Sequence, residues 1–152
     1  KFNIFCCTGI LFNHESPLRS KEFVTKKIVD TALKIKKNRS LKLELGNIGI
    51  FRDWGWAPDY VNAIWLMMQR TKPRDFIIGS GKTNSLKEFV NEVFKYLNIS
   101  KKNLRTNVSR YKRKIDLRGY KANISDTQKI LKWKPTIKFK TIIHKMINNE
   151  LF

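Results

Sequence analysis

The sequence predicts an α/β fold built around a parallel sheet. An uninterrupted apolar run over residues 2–12 is typical of a strand buried on both faces of such a sheet. Short strand-like segments then alternate with segments of helical apolar periodicity, which is the pattern of α/β proteins. With 152 residues, 41% of them hydrophobic, the chain is long enough to bury a real core. We therefore treat residues 1–152 as a single domain.

The first half of the chain predicts a helix and a strand after the apolar run. Residues 21–37 predict a helix, because Val24, Ile28, Thr31 and Ile35 recur at helical spacing. Residues 41–45 alternate leucine with polar side chains, which predicts a half-exposed strand.

Pro58 suits the first turn of a second helix that extends to about residue 70. We expect one apolar stripe of this helix to lie in the core. Its members are Val61, Ile64, Trp65 and Met68. Residues 75–79 then predict a short strand.

Ser85 and Glu88 form a capping-box pattern that opens a third helix, ending near residue 97. Its predicted buried face is Phe89, Val93, Tyr96 and Leu97. A short helix capped by Ser125 stops before Pro135. A last helix carries the stripe Phe139, Ile142, Ile143, Met146 and Ile147. Residues 98–121 are basic and irregular.

The chain carries 32 Lys and Arg against 12 Asp and Glu, a net charge of +20. Such a surface attracts polyanions, so a nucleic-acid-binding module is one alternative hypothesis. The basic residues are scattered, however, except at Lys112-Arg113-Lys114. A groove for nucleotide phosphates would draw on the same positive field, and nucleic acid is the less favoured partner.

Cysteine and histidine usage argues against a metal or a disulfide framework. Cys6 and Cys7 are adjacent in a predicted buried strand, so their side chains would point to opposite faces. His14 and His144 have no ligand spacing around them. The pattern favours a reducing cytoplasm. No leader or membrane span is expected, and the start at Lys1 suggests the carboxyl-terminal portion of something longer.

The segment Gly79-Ser80-Gly81-Lys82-Thr83 is similar to the end of a phosphate-binding P-loop. Phe76 stands where that motif needs its first glycine, so we favour a plain glycine turn leading to the third helix. No Gly-x-Gly-x-x-Gly fingerprint occurs, and none of the four tyrosines has a lysine four positions later. The chain therefore lacks a dinucleotide-binding loop and a Tyr-x-x-x-Lys catalytic pair.

Three stretches carry a resemblance to a known family. Asn13-His14-Glu15 and Arg19 follow the apolar run, Arg52-Asp53-Trp54-Gly55-Trp56-Ala57-Pro58-Asp59-Tyr60 opens the second helix, and Ile130-Leu-Lys-Trp133-Lys-Pro135 closes the fourth. Together they resemble the GDP-mannose 4,6-dehydratases, within the extended short-chain dehydrogenase/reductases. The resemblance implies a Rossmann-type fold, of which this chain is the carboxyl-terminal, substrate-binding portion without the amino-terminal dinucleotide-binding half.

The same resemblance implies roles for individual residues. Those matching substrate-binding positions are Asn13, Val24, Lys27, Arg52 and Arg110. His14 and Arg19 match positions that contact the cofactor NADP, and no catalytic residue lies in this chain. One departure concerns the family's Arg-Pro-x-Glu segment. Here residues 109–116 contain neither the proline nor that glutamate, and Arg110 or Arg113 could supply the cation.

The implied activity is that of a hydro-lyase of nucleotide-sugar metabolism, in GDP-fucose biosynthesis. It converts GDP-mannose to GDP-4-keto-6-deoxymannose with bound NADP. A full-length homodimer or homotetramer in the cytoplasm is expected, and this chain alone should be inactive. The alternatives are a related NAD(P)-dependent nucleotide-sugar epimerase or dehydratase with a different base, and the nucleic-acid-binding module above.

Overall fold

The structure, a computed structural model, describes residues 4–111 and 119–151 and confirms the α/β class. The cluster at residues 112–114 lies outside the described residues. The strands are β1 Gly9–Leu11, β2 Asn13–Glu15, β3 Leu43–Glu44, β4 Phe51–Arg52, β5 Trp54–Trp56, β6 Phe76–Ile78, β7 Asn84–Ser85 and β8 Leu104–Arg105. The helices are α1 Val24–Lys37, α2 Ala57–Met68, α3 Leu86–Tyr96, α4 Ser125–Leu131 and α5 Phe139–Asn148, with 3₁₀ turns at Lys101–Asn103 and Ser109–Tyr111.

The strands associate in four pairs. β1 pairs with β6, β2 with β5 and β3 with β8, each in parallel, whereas β4 and β7 are antiparallel. Parallel pairing of distant strands requires helical crossovers, and α1, α2 and α3 supply them. None of the helices formed by residues 4–111 and 119–151 has the length and apolar content to cross a bilayer.

The predicted first strand is shorter and more exposed than expected. Strand structure begins at Gly9, and Phe12 interrupts it between β1 and β2. Ile10 is 51% exposed, and Cys6 is exposed rather than buried. Within the described chain, β1 has β6 as its hydrogen-bonded neighbour and lacks a strand on its other side. The expectation of burial on both faces is therefore wrong for this chain.

Two apolar cores flank the segment formed by β5 and α2. One packs Trp54 and Trp56 of β5 against α1, α3 and α5, with Phe89 and Phe139 contacting the Trp54 ring. The other joins Tyr60 and further α2 side chains to β6 and to residues around α4. Residues 54–68 thus connect both halves of the core.

The apolar stripe predicted for α2 is the wrong face. Val61 is 64% exposed and Trp65 59% exposed, and Ile64 and Met68 are exposed as well. The buried side chains of the helix are instead Asp59, Tyr60, Ala63 and Met67. Because α2 is apolar around most of its circumference, periodicity alone cannot choose between its faces.

The helix-start and helix-face predictions had mixed outcomes. The capping box of α3 is confirmed, since Ser85 Oγ accepts from Glu88 N and the Glu88 carboxylate accepts from Ser85 N. The apolar stripe of α5 is also confirmed. Ser125 is not a cap, because the Asn123 side chain accepts from Ser125 N and the helix begins at Ser125 itself. Tyr96 is exposed and stacks on His144 at 4.2 Å between ring centroids.

Two buried aspartates hold distant segments of the chain together. Asp53 is fully buried and accepts hydrogen bonds from the backbone N–H groups of Ser80 at 2.7 Å and Gly81 at 2.9 Å. A third N–H, that of Ala122, donates to the same carboxylate at 3.2 Å. Asp59 accepts from the backbone N–H groups of Thr136 at 2.8 Å and Ile137 at 3.2 Å, and from Thr136 Oγ1 at 2.7 Å. Buried backbone groups need such partners, so these carboxylates fix the loops around β5 and α2.

We expect Asp53→Asn to lower the free energy of unfolding by about 2–4 kcal/mol, because an amide offers one acceptor oxygen where three N–H groups converge. Urea unfolding followed by tryptophan fluorescence measures this loss. Asp126→Asn is the matched control, since Asp126 forms an exposed ion pair with Arg74; it should change the free energy by less than about 1 kcal/mol. Equal losses in the two variants would contradict the proposed role of Asp53.

Candidate functional site

A cavity of about 370 Å³ lies between α1 and the chain that follows β3. Its volume is in the range typical of small-molecule sites. The lining residues are Glu22, Val24, Lys27, Leu45, Gly46, Asn47, Ile50, Leu86, Arg110 and Tyr111. Three of the five residues predicted to bind substrate are among them, namely Val24, Lys27 and Arg110. The cavity thus unites residues far apart in sequence.

The roof of the cavity is the turn at residues 107–111, and backbone hydrogen bonds attach it to the chain beneath. Val108 N donates to Leu45 O, and Asn107 N donates to Gly46 O, both at 3.1 Å. A Cβ atom at Gly46 would lie 2.6 Å from Tyr111 O, so a larger residue at this position would displace the roof. Glycine is therefore required here by close backbone approach.

The two cations of the cavity surround one aromatic ring. Lys27 Nζ lies 3.6 Å from the Tyr111 ring centroid, and Arg110 Cζ lies 4.9 Å from it. Both cations also interact with Glu44. Lys27 donates to the Glu44 backbone carbonyl at 2.9 Å, and Arg110 pairs with the Glu44 carboxylate. Tyr111 and Glu44 were not predicted from the sequence, because neither lies in a recognisable motif.

Asn13 and Arg52 do not line the cavity. Asn13 begins β2 opposite Trp54, and its carbonyl accepts from Tyr60 Oη at 3.3 Å. Arg52 lies in β4 and donates from Nη1 to Phe51 O at 2.7 Å. Its guanidinium carbon is 5.7 Å from the Tyr120 ring centroid. Arg113, the other candidate for the altered segment, lies outside the described residues.

His14 and Arg19, predicted to meet the cofactor, flank a buried acid. The His14 ring lies 5.3 Å from that of Tyr60, and its Nδ1 is 3.0 Å from Phe12 O. Arg19 stacks on Phe23 at 3.5 Å from the ring centroid. Its Nε is 3.5 Å from Glu15 Oε2, too long for a good hydrogen bond, and is buried without a hydrogen-bond partner. An unsatisfied guanidinium N–H is a group that a phosphate oxygen could satisfy.

Glu15 is 1% exposed and accepts a hydrogen bond from Thr25 Oγ1 at 2.8 Å. Burial raises the pKa of Glu15 from 4.5 to about 7, although the Thr25 bond and the Arg19 charge oppose the shift. The neutral acid is therefore favoured in the folded protein at acidic pH.

The glycine turn at residues 79–83 binds the protein itself. The N–H groups of Ser80 and Gly81 donate to the Asp53 carboxylate, which occupies the place a phosphate would take in a P-loop. This observation supports the turn interpretation over nucleotide binding. Within residues 4–111 and 119–151, no three His, Cys, Asp or Glu side chains come together as a metal site.

Comparison with known proteins decides the family. Residues 1–146 match the family model described as GDP-mannose 4,6 dehydratase. The chain belongs to the GDP-mannose 4,6-dehydratase family. The resemblance drawn from the sequence is thereby confirmed.

Several curated relatives carry that dehydratase name. GDP-mannose 4,6 dehydratase 1 of Arabidopsis thaliana is 39% identical over 150 residues, covering 99% of this chain and 42% of the relative. The human GDP-mannose 4,6 dehydratase is 37% identical over 170 residues, with 99% and 45% covered. The chain therefore spans less than half the length of the curated dehydratases to which it aligns along its whole length.

Solved structures show the same fold. RMD from Pseudomonas aeruginosa, determined with NADPH, superimposes with a TM-score of 0.85 at 17% identity, covering 95% of this chain and 48% of that one. A dTDP-glucose 4,6-dehydratase from Bacillus anthracis, determined with NAD, gives 0.81 at 20% identity, with 93% and 43% covered. This chain thus shares the fold of part of each of these two structures.

In this member of the dehydratase family, Glu15 should make stability depend on pH. A raised folded pKa means that the contribution of the neutral acid is complete below pH 4.5 and is lost as the pH rises through about 7. We expect roughly 2–3 kcal/mol of stability to be lost between pH 4.5 and pH 8 through this group. Glu15→Gln removes the titration while its amide oxygen can still accept from Thr25.

Urea unfolding at several pH values tests this dependence. The free-energy difference between Glu15→Gln and the wild type should move in favour of the variant as the pH rises. Glu22→Gln, which alters an exposed side chain, should retain the wild-type dependence. Parallel curves for the wild type and Glu15→Gln would show that burial does not control this acid.

Proposed function

We propose that this chain is the carboxyl-terminal, GDP-sugar-binding portion of a GDP-mannose 4,6-dehydratase, with residues 1–152 forming one substrate-binding domain. The observation that carries the proposal is the cavity, which brings Val24, Lys27 and Arg110 together in a chain of this family. These residues come from α1 and from the roof, more than eighty positions apart in sequence.

The inner part of the cavity suits a nucleobase. Val24, Leu45 and Leu86 provide apolar walls for the faces of a flat ring. Lys27 has three donor hydrogens, so it can donate to guanine O6 while keeping its bond to the Glu44 carbonyl. Guanine has such a carbonyl oxygen at C6, so the cavity is compatible with a GDP-linked substrate.

The diphosphate would extend from the cavity toward Arg52. Ile50 lines the cavity, and Arg52 follows two positions later in extended chain, so both side chains lie on the same face. Arg110 at the roof provides a second guanidinium, and guanidinium groups match phosphate oxygens in geometry and charge. Asn13, at the start of β2, would orient the sugar beyond the phosphates.

The complete enzyme would convert GDP-mannose to GDP-4-keto-6-deoxymannose as a hydro-lyase of the cytoplasm, acting as a homodimer or homotetramer. When bound, NADP supplies a reversible hydride acceptor. In this chain, Arg19 and His14 would bind that cofactor, and the unsatisfied Arg19 Nε fits a phosphate. The Tyr-x-x-x-Lys pair and the catalytic glutamate are absent from this sequence. The isolated chain should therefore bind substrate without converting it.

The exposed face of α2 supports the view that further structure completes the fold. Val61, Ile64, Trp65 and Met68 form an apolar surface of the kind that proteins normally cover. Cys7, which precedes β1, contacts this surface, with its Sγ 3.8 Å from Met68 Sδ. In a protein as long as the curated relatives, a dinucleotide-binding half would add a strand beside β1 and cover the exposed face of α2.

A related enzyme acting on another nucleotide sugar is the second candidate, favoured by the altered segment at residues 109–116. Calorimetry with GDP-mannose, UDP-glucose and dTDP-glucose separates the two. We expect GDP-mannose to bind most tightly. A preference for UDP-glucose or dTDP-glucose would overturn the guanine assignment while leaving the fold assignment intact.

Within the chain, Lys27→Ala and Arg52→Ala should each weaken GDP binding about tenfold, the loss expected for one charge-assisted hydrogen bond. Isothermal calorimetry gives the dissociation constants, and circular dichroism confirms folding. Lys129→Ala is the control, because Lys129 is an exposed residue of α4 that does not line the cavity. Tight binding of DNA or RNA that is steeply salt-sensitive and unchanged by Arg52→Ala would instead favour the nucleic-acid hypothesis.

A further inference from the structure

Glu44 occupies a position that conflicts with anion binding in the cavity. It ends β3, and its carboxylate pairs with Arg110 and lies 3.7 Å from Arg105 Nη1. The same residue accepts from Lys27 through its backbone carbonyl. Both cations that line the cavity therefore interact with Glu44 in this structure.

The Glu44 carboxylate opposes the binding of a diphosphate electrostatically. A nucleoside diphosphate carries two or more negative charges near Arg110 if it binds as proposed. The Glu44 carboxylate neutralises that guanidinium and would repel the ligand at short range. The Glu44 side chain is 25% exposed and that of Arg110 is 63% exposed. Water therefore partly screens the ion pair, and breaking it costs little free energy.

Tyr111 keeps the cationic groups together when the pairing changes. Its ring contacts both Lys27 and Arg110, and Tyr111 N is bound to Val108 O at 3.0 Å within the roof. A guanidinium released from Glu44 would thus stay over the cavity rather than move into solvent.

We propose that Glu44 is an internal competitor that the diphosphate must displace from Arg110, and so sets the affinity of the site. This inference rests on the proposed function. Binding exchanges one partner of Arg110 for another, from carboxylate to phosphate, while the Lys27 bond to the Glu44 carbonyl is retained. The structure thereby assigns to Glu44 a negative effect on affinity.

A merely structural role for Glu44 predicts the opposite change in GDP affinity when the carboxylate is removed. If the carboxylate served to position Arg110 or hold the roof, its removal would loosen the site and weaken binding. The competitor role predicts that Glu44→Gln tightens GDP binding, by roughly three- to tenfold at low salt. The gain should shrink in 0.5 M salt, because screening reduces the repulsion that is removed.

Calorimetric titration of GDP into the wild type, Glu44→Gln and Glu150→Gln tests the proposal. Glu150→Gln makes the same change of net charge at an exposed residue that does not line the cavity. It should leave the affinity within about twofold. In an Arg110→Ala background, the gain in GDP affinity from Glu44→Gln should fall to less than half on a logarithmic scale, because the guanidinium for which Glu44 and the diphosphate compete is absent.

Tighter binding by Glu44→Gln, with loss of the gain in the Arg110→Ala background, supports the competitor role. GDP binding that is unchanged or weaker in Glu44→Gln, or a gain that persists in the Arg110→Ala background, overturns that role and leaves the proposed function standing. An absence of GDP binding in both the wild type and Glu44→Gln overturns the proposed function, and this inference with it.

Discussion

The buried Asp53 carboxylate is the constraint on which the arrangement of this chain depends. It lies between β4 and β5 and gathers backbone N–H groups from the turn after β6 and from the segment before α4. A charge in such a position is tolerated because several donors converge on it. With Asp53 in place, β5 and α2 follow at a fixed position between the two apolar cores. The candidate site then forms beside the first core.

The cavity is a consequence of how α1 packs. Its buried face holds Ile28 and Ala32 against α3 and α5, which leaves Val24 and Lys27 at its amino-terminal end facing the chain after β3. The pairing of β3 with β8 then places the roof, which follows β8 in the chain, over the cavity. The site is therefore built from long-range pairing rather than from any local motif, and its chemistry depends on which charges meet there.

Sequence reasoning succeeded where local chemistry decides the outcome. The Ser85–Glu88 capping box and the α5 stripe were both predictable, because each depends on spacing within one helix. It failed for α2, whose two apolar faces look alike until the neighbours of the helix are known. Three of the five residues predicted to bind substrate line one cavity, whereas the sequence did not predict Tyr111 in its lining or Glu44 beside its two cations. Their presence depends on the β3–β8 register, which no short pattern encodes.

If a GDP-sugar binds between α1 and the roof, the ligand should protect the backbone around the cavity. Hydrogen exchange followed by mass spectrometry, with and without GDP-mannose, locates the ligand on the backbone. We expect protection to increase in residues 44–50 and 107–111, with little change in residues 79–83 and 121–128. Protection confined to those latter segments, or none at saturating ligand, would contradict binding between α1 and the roof.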